Sequence, residues 1–310
     1  MQSLVRCLAM KKLVNIAIIG MGHWGNHLLA NLLALDFFNV KYICCRKKED
    51  VKVNTNKSII FDDNIILDDS SIDGVIISTS PESHFQLARK FLKKGLKVFV
   101  EKPLTLSHNE CVELLNISKQ YPSSGLMVGN KFVYSTAINK LKDFIEDNNI
   151  KINSISSRWL KGAGIQNVGI FFDIAYHHIY LADYLLGCDF INLKKYVLNK
   201  KEDIILSGLV ILDYKDAVCS IEVSYNNHFD FYDHNFRIET NKGVFFISEK
   251  DRKLSVFFDN KNQNSLTFGY QEEKETCVTG ELTAFYKWLT DGGVIFGPEH
   301  DCRIINYLEK

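Results

Sequence analysis

Val14-Asn15-Ile16-Ala17-Ile18-Ile19-Gly20-Met21-Gly22-His23-Trp24-Gly25 is the stretch that decides the fold. Val14 to Ile19 is largely β-branched and apolar, it enters a glycine turn directly, and Asn26 to Leu35 then carries apolar residues at helical spacing. Strand, glycine turn and helix in this order are the G-x-G-x-x-G unit that cradles a dinucleotide. Gly20 permits the tight turn, Gly22 lets a pyrophosphate approach the backbone, and Gly25 lets the helix pack closely on the strand. His23 and Trp24 complete the loop. The phosphates would rest on the N–H groups of the helix start, where the dipole favours anions. A glycine turn without a ligand is the alternative for the motif alone; the flanking strand and helix favour a cofactor.

Further along, Leu96-Lys97-Val98-Phe99-Val100-Glu101-Lys102-Pro103 is an apolar run that stops at a charged pair and a proline. Such a run is expected of a parallel strand covered on both faces, and ligands of such sheets gather outside the strands' carboxyl ends, where Lys102 is delivered. Between these two anchors, the strand Val40 to Cys45 ends without an acidic residue and is followed by Arg46, Lys47 and Lys48. A cation there pairs with a 2′-phosphate, so NADP is favoured; Glu49 or Asp50 reaching the ribose would make NAD the cofactor. Ser58 to Phe61 and Asp73 to Ser78 read as strands, the latter leading into Thr79-Ser80-Pro81-Glu82-Ser83-His84 and a helix to about Lys94. Ser80 and His84 are placed to line the cofactor cleft, although His84 alone also suits a helix start. Ser107-x-x-Glu110 is a capping box opening a helix, and Gly125 to Val128 is the last strand of a doubly wound parallel sheet.

Near Gly129 the pattern changes. A helix (Ser135 to Glu146), a strand (Ile152 to Leu160) and a polar loop (Lys161 to Gly169) lead into Phe171-Phe172-Asp173-Ile174-Ala175-Tyr176-His177-His178, a helix ended by Gly187. From Phe190 to about Thr267 short alternating runs, broken at Asn241-Lys242-Gly243 and Asp259-Asn260-Lys261, predict an antiparallel sheet, closed by helices over Glu281 to Leu289 and Asp301 to Leu308. The expected division is a Rossmann domain over 1–128 and an α+β domain with a large, mostly antiparallel open sheet over 129–310. Asp173 and His177 are four apart, so a helix would present both on one face, where a carboxylate and an imidazole bind a hydroxyl and exchange its proton. The plainer reading makes Asp173 an N-cap and leaves His177 solvated. A metal held by Asp173, His177 and His178 is disfavoured: consecutive helical residues point about 100° apart, and no third ligand presents itself.

Composition bounds the possibilities. The chain has 310 residues, 46% hydrophobic and 24% charged, which suits two domains. Lys plus Arg and Asp plus Glu are equal at 37 each, leaving no net field for nucleic acid or an anionic membrane. The eight cysteines (Cys7, Cys44, Cys45, Cys111, Cys188, Cys219, Cys277, Cys302) include no C-x-x-C and read as reduced core residues of a cytoplasmic protein. Met1 to Lys12 makes a poor signal peptide, and nothing later is apolar enough for a membrane span.

Taken together, the glycine loop, Ser-Pro-Glu-Ser-His at 80–84, Val-Glu-Lys-Pro at 100–103 and Asp173-x-x-x-His177 resemble the Gfo/Idh/MocA oxidoreductase family over nearly the whole chain. Trp24, the run Gly129-Asn130-Lys131-Phe132-Val133-Tyr134 and Asp173-Ile174-Ala175-Tyr176-His177 look more like its branch acting on nucleotide-linked sugars. In that branch the position of Asn130 is commonly His, that of His178 commonly Asp, and the glycine-rich lead before Asp173 is here reduced to Gly162, Gly164 and Gly169. The resemblance implies reversible oxidation of a sugar-type secondary alcohol and an open sheet used for homo-oligomerisation. Lys102 would hydrogen-bond the reacting oxygen, His177 would move the proton, and Asp173 would orient the sugar or the imidazole; Lys102 is the other candidate for the proton step. Glu101 would brace the lysine or line the nicotinamide site. Asn130, Tyr134 and Arg158 are candidate substrate contacts, with structural roles as their alternatives. An NAD-dependent glycosidase and a silent cofactor-binding scaffold are the competing functions. The expected geometry brings Lys102 and His177 to one small volume.

Overall fold

The computed structural model describes residues 12–121, 123–161, 164–225, 233–248, 253–258, 265–269, 274–292 and 297–310, without the side chains of 253–254, 256–258, 265–269 and 274–276. The expectations for the leader, Cys7, Gly162 and the Asp259-Asn260-Lys261 turn lie outside these residues. Two compact units form. The first comprises the chain through Glu101 with Leu114–Met127 and Leu282–Ile295; the second comprises Lys102–Glu113, Val128–Glu281 and Phe296–Lys310.

In the first unit, β1 (Val14–Ile19), β2 (Phe38–Cys44), β3 (Ser58–Ile60), β4 (Gly74–Ile77), β5 (Lys97–Glu101) and β6 (Gly125–Gly129) make a six-stranded sheet in the order β3-β2-β1-β4-β5-β6. The ladders from β3 to β5 are parallel. Ile16, Ala17, Ile18, Val98, Phe99 and Val100 are all fully buried, which is why these strands read as continuous apolar runs and do not alternate. α1 (His23–Ala34), α2 (Asn64–Asp68), α3 (Pro81–Lys93) and α4 (His108–Gln120) fall between the strands. The five-residue α2 gave no sequence signal. Residues 282–292 complete the core from far along the chain: Phe285 stacks on Phe38 and meets Phe99 edge-on, and a Cβ at Gly125 would strike the Trp288 ring at 2.5 Å.

The second unit is built on an eight-stranded sheet in the order β14-β13-β12-β11-β7-β10-β9-β8. Its strands are β7 (Ile152–Leu160), β8 (Asn192–Lys201), β9 (Ile204–Asp213), β10 (Val218–Ser224), β11 (Asp233–Thr240), β12 (Gly243–Ser248), β13 (Lys253–Phe258) and β14 (Ser265–Gly269). Its ladders are antiparallel with one exception: β7 and β10 run parallel, with Leu160 opposite Ser224. The remaining helices are α5 (Thr136–Asp147), α6 (Tyr176–Leu186), α7 (Lys274–Thr290) and α8 (Pro298–Glu309). α5 begins as expected, with the Ser135 hydroxyl accepting from the Ile138 N–H.

Two expectations are corrected. The Ser107/Glu110 capping box does not form; the His108 N–H at the start of α4 donates instead to the Glu309 carboxylate at 2.8 Å. The cysteines are not all reduced, because Cys111 of α4 and Cys302 of α8 form a disulfide across 191 residues, and Cys188 is exposed. A pair so distant in sequence leaves no spacing signature. Cys44, Cys45 and Cys219 are buried thiols as expected.

The glycine turn explains its own composition. Gly20 has φ +98°, and a Cβ there would meet Ser78 and Thr79 backbone within 2.8 Å; a Cβ on Gly25 would lie 1.9 Å from the Gly20 carbonyl oxygen. Gly22 has open space around its missing Cβ. Gly25→Ala is therefore expected to destabilise the protein by about 3 kcal/mol, whereas Gly22→Ala leaves stability within about 0.5 kcal/mol; urea denaturation of the two variants checks this contrast.

Candidate active site

In the first unit, Gly22 is the N-cap of α1 and offers no side-chain cap, so the first-turn N–H groups are left for an anion. A hollow of about 490 Å³ beside the turn is lined by Met21, Gly22, His23, Asn26, His27, Asp50 and Lys52. Asn26 fixes its far wall, donating to the Asp50 carbonyl at 2.8 Å and accepting from the Lys52 N–H at 2.6 Å. The open Gly22, the uncapped helix start and this hollow fit a dinucleotide pyrophosphate. The Trp24 indole donates to Glu101 at 2.6 Å, so Glu101 braces the glycine-loop helix. Arg46 is exposed and makes no ion pair among the described residues. Ser80 is the N-cap of α3 without using its hydroxyl, and Pro81 starts the helix. His84 is buried with Nε2 at 3.1 Å from the Thr79 carbonyl, a structural contact.

The second unit holds Lys102, Asp173 and His177. The Lys102–Pro103 peptide is cis, and Lys102 Nζ donates to the Asp173 carbonyl at 2.5 Å and to its Oδ1 at 3.4 Å. Phe171–Ala175 is not α-helix but one π turn, in which the Tyr176 N–H reaches the Phe171 carbonyl five residues back. A Cβ on Gly208 of β9 would collide with the Phe171 ring at 2.4 Å, so that glycine seats the turn on the sheet. The wider turn alters the expected pairing: Asp173 makes no hydrogen bond to His177. Its Oδ2 accepts from the Tyr225 hydroxyl at 2.7 Å, and Lys161 Nζ lies 3.6 Å from the same oxygen. Nor is Asp173 an N-cap, the turn having no side-chain cap. Sequence reasoning missed Tyr225 and Lys161. They are the residues just after β10 and β7, whose parallel pairing sets them side by side, with the Lys161 N–H donating to the Ser224 carbonyl at 2.7 Å.

His177 is buried, with its ring edge-on to Phe132 at 5.0 Å and no hydrogen bond from either ring nitrogen among the described residues. Burial first, then the charges of Lys102 and Lys131 and the neighbouring His178 and His234, hold its pKa well below the ordinary imidazole range. The charge of Lys102 is thus among the groups that disfavour the imidazolium. His178 turns away into the core: Nδ1 meets Ser157 Oγ at 2.9 Å, Nε2 meets His234 Nε2 at 3.1 Å, and Trp159 stacks on both rings. Burial pushes His178 down to about 3 and His234 well below its usual value.

The weaker candidates separate. Asn130 is buried and donates to Asp301 at 3.0 Å, beside the Tyr176 hydroxyl bonded to the same oxygen. Burial, partly offset by these two donors, lifts Asp301 to about 6. Tyr134 packs its Cβ against Gly280, and burial raises its phenol. Arg158 is half exposed and paired with Glu222 at 2.7 Å, on the sheet face opposite Ser157 and Trp159 by strand parity. Asp173, His177 and His178 do not cluster as ligands. Asp183, Asp189 and His300 do approach one another, but the Arg303 guanidinium already occupies that group, 2.7 Å from Asp183 and 2.9 Å from Asp189.

Residues 14–130 match the sequence model of the oxidoreductase family with an NAD-binding Rossmann fold. Over those residues the chain is similar to the Gfo/Idh/MocA oxidoreductases. It is 23% identical over 305 residues to the myo-inositol 2-dehydrogenase of Thermotoga maritima, covering 90% of this chain and 89% of that one. A glycosyl hydrolase family 109 protein of Shewanella sp. is 29% identical over 143 residues, 42% of this chain and 31% of that one. The fold matches levoglucosan dehydrogenase, solved with NADH and levoglucosan, at TM-score 0.84 and 19% identity over 96% of this chain and 95% of that one.

Neutral burial of three histidines has a measurable consequence. Below the unfolded value of about 6.5 the unfolded chain binds protons that the folded rings refuse, so stability falls with falling pH by about 1.4 kcal/mol per unit for each histidine. Asp301 opposes this by one proton between about 6 and the unfolded carboxylate value near 3.9, since its folded form holds the proton longer. The expected net result is a melting temperature that drops steadily from pH 6.5 to 4, and a His178→Phe variant with a visibly shallower slope in a pH series of thermal melts.

Proposed function

We propose that the protein is an NADP(H)-favouring oxidoreductase that transfers a hydride between nicotinamide and the carbon of a sugar or nucleotide-linked sugar bearing a secondary alcohol or ketone. The observation that carries this reading is the second unit's triad: Lys102 fixed against Asp173 and a neutral His177 with no hydrogen-bond partner among the described residues. The bound nicotinamide would take or supply the hydride. Lys102, preorganised by the Asp173 carbonyl and carboxylate, donates to the reacting oxygen and stabilises the charge that develops there. His177 accepts the alcohol's proton as the carbonyl forms, and returns it in reduction; an imidazole kept neutral is ready to act as the base. Asp173, itself held by Tyr225, sets the lysine's position.

In the same reading residues 1–128 bind the dinucleotide, and residues 129–310 bind substrate and pair with a second copy. Exposed Tyr196, Val197 and Leu198 on the edge strand β8 support a homo-oligomer. Arg46, exposed and without an ion pair among the described residues, supports NADP through a 2′-phosphate contact, although the named solved relative binds NADH. No described helix is long and apolar enough to cross a membrane, and the reading places the enzyme in the cytoplasm. A second reading, a glycosidase using transient oxidation, draws on the partial match to the family 109 hydrolase. It requires release of a leaving group with no net change in cofactor absorbance.

A panel of sugars and nucleotide sugars assayed with both cofactors is the test. Lys102→Ala should lower kcat by about 100-fold or more while leaving cofactor affinity within about threefold. Gly22→Ala should do the reverse, weakening the cofactor by about tenfold or more through the lost pyrophosphate approach. Unimpaired turnover by Lys102→Ala would remove that lysine from the mechanism.

A further inference from the structure

We propose that Asn26 is a positioning residue for cofactor choice: its side-chain amide holds the loop that reads the 2′-position of the adenosine ribose in register with the glycine turn that takes the pyrophosphate. The inference rests on the dinucleotide reading above and deepens it to the residue that sets the discrimination.

The loop runs from Cys45, just past β2, to Lys52. It carries both kinds of group suited to that position, the cations Arg46, Lys47 and Lys48 and the carboxylates Glu49 and Asp50, and all but Asp50 are exposed. Exposed side chains on a loop separate a 2′-phosphate from a 2′-hydroxyl only if the backbone beneath them is held at a fixed place relative to the phosphates. The start of the loop is held by backbone alone: the Gly20 N–H donates to the Cys44 carbonyl at 2.9 Å and the Cys45 N–H to the Ile60 carbonyl at 3.1 Å. One tight turn, Lys48–Asp50, closes its middle, with the Asp50 N–H donating to the Lys47 carbonyl and the Val51 N–H to the Lys48 carbonyl, each at 3.1 Å.

The far end is gripped by a side chain. Asn26 Nδ2 donates to the Asp50 carbonyl at 2.8 Å, and the Lys52 N–H donates to Asn26 Oδ1 at 2.6 Å. Those two backbone groups flank Val51, so the amide pairs with the loop as a residue of a neighbouring strand would, giving one hydrogen and accepting another. Nδ2 also donates to the Met21 and Gly22 carbonyls, both at 3.0 Å. The half-buried amide thus ties together two walls of one hollow, Met21 and Gly22 on one side and Asp50 and Lys52 on the other. Truncating Asn26 releases the far end of the loop and leaves its start on the sheet, because the bonds there are all backbone. The ribose-reading groups then lose their register with the turn while the strands stay paired.

The test is equilibrium binding of NADPH and of NADH to the full chain, followed by cofactor fluorescence, with the melting temperature reporting the fold. The unaltered protein should separate the two cofactors by about tenfold or more. Asn26→Ala should bring their affinities to within about threefold of each other, the favoured cofactor losing about tenfold because its loop is no longer preorganised. Asn26→Ser, a milder truncation, carries the same expectation if Asn26→Ala yields no folded protein. A variant that weakens both cofactors alike, with their ratio unchanged, makes Asn26 a general support and overturns the inference. So does an unaltered protein that binds the two equally. A preference for NADH that Asn26→Ala erases would sink the NADP preference alone and leave the inference standing; a chain that binds neither cofactor sinks the dinucleotide reading and the inference with it.

Discussion

Strands β7 and β10 run parallel inside an otherwise antiparallel sheet, and the chemistry of the second unit hangs on that pairing. Antiparallel neighbours set the end of one strand beside the start of the next; a parallel pair sets both carboxyl ends together. Lys161 and Tyr225 are the first residues past those ends, and both converge on Asp173. Asp173 can receive them because its turn is widened, and the widening is held by Phe171 lying over a glycine in β9. Strand order, a missing side chain and one extra residue in a turn thus combine to orient a single carboxylate, which in turn holds Lys102.

Around that carboxylate the protein handles polar groups in contrasting ways. Asp183 is buried against the Arg303 guanidinium and the Tyr214 hydroxyl, so it meets both a charge and a donor. Asp301 is buried with Tyr176 and Asn130 as side-chain donors, and burial shifts its carboxyl toward the neutral form. His177 and His234 are kept neutral by burial and by nearby lysines, and His178 by burial alone. A neutral ring keeps a lone pair open for a proton, but burial and the ammonium charges disfavour the imidazolium, a cost that negative charge developing on the reacting oxygen would offset.

The first sheet was legible in the sequence because its constraints are local. Gly20 and Gly25 are dictated by contacts within a few residues of the turn or at the next strand end, and buried parallel strands announce themselves as apolar runs. Lys102, Asp173 and His177 were legible as residue types, but their relations were not. Phe171 to His177 reads as helix whether its turn is α or π, and the pattern does not tell which partners Asp173 takes. Tyr225 looks like any strand residue, and Lys161 like the start of a polar loop, until strand order is known. Asn130 finds its partner 171 residues away on α8, and Phe285 and Trp288 serve a core whose other members end by Met127. Strand parity did carry one unused message: Arg158 must face away from Ser157 and Trp159.

The buried contact between His178 and His234 binds three groups into one unit. Two neutral rings that meet Nε2 to Nε2 share a single hydrogen there, since two would clash and none would leave lone pair facing lone pair. If His178 supplies it, His178 Nδ1 must accept from the Ser157 hydroxyl; if His234 supplies it, His178 Nδ1 carries a hydrogen and Ser157 must accept. Serine and both imidazoles therefore have two self-consistent polarities and no mixed one. Reversal is a concerted event, in which a proton arriving at one end of the row is matched by one leaving at the other.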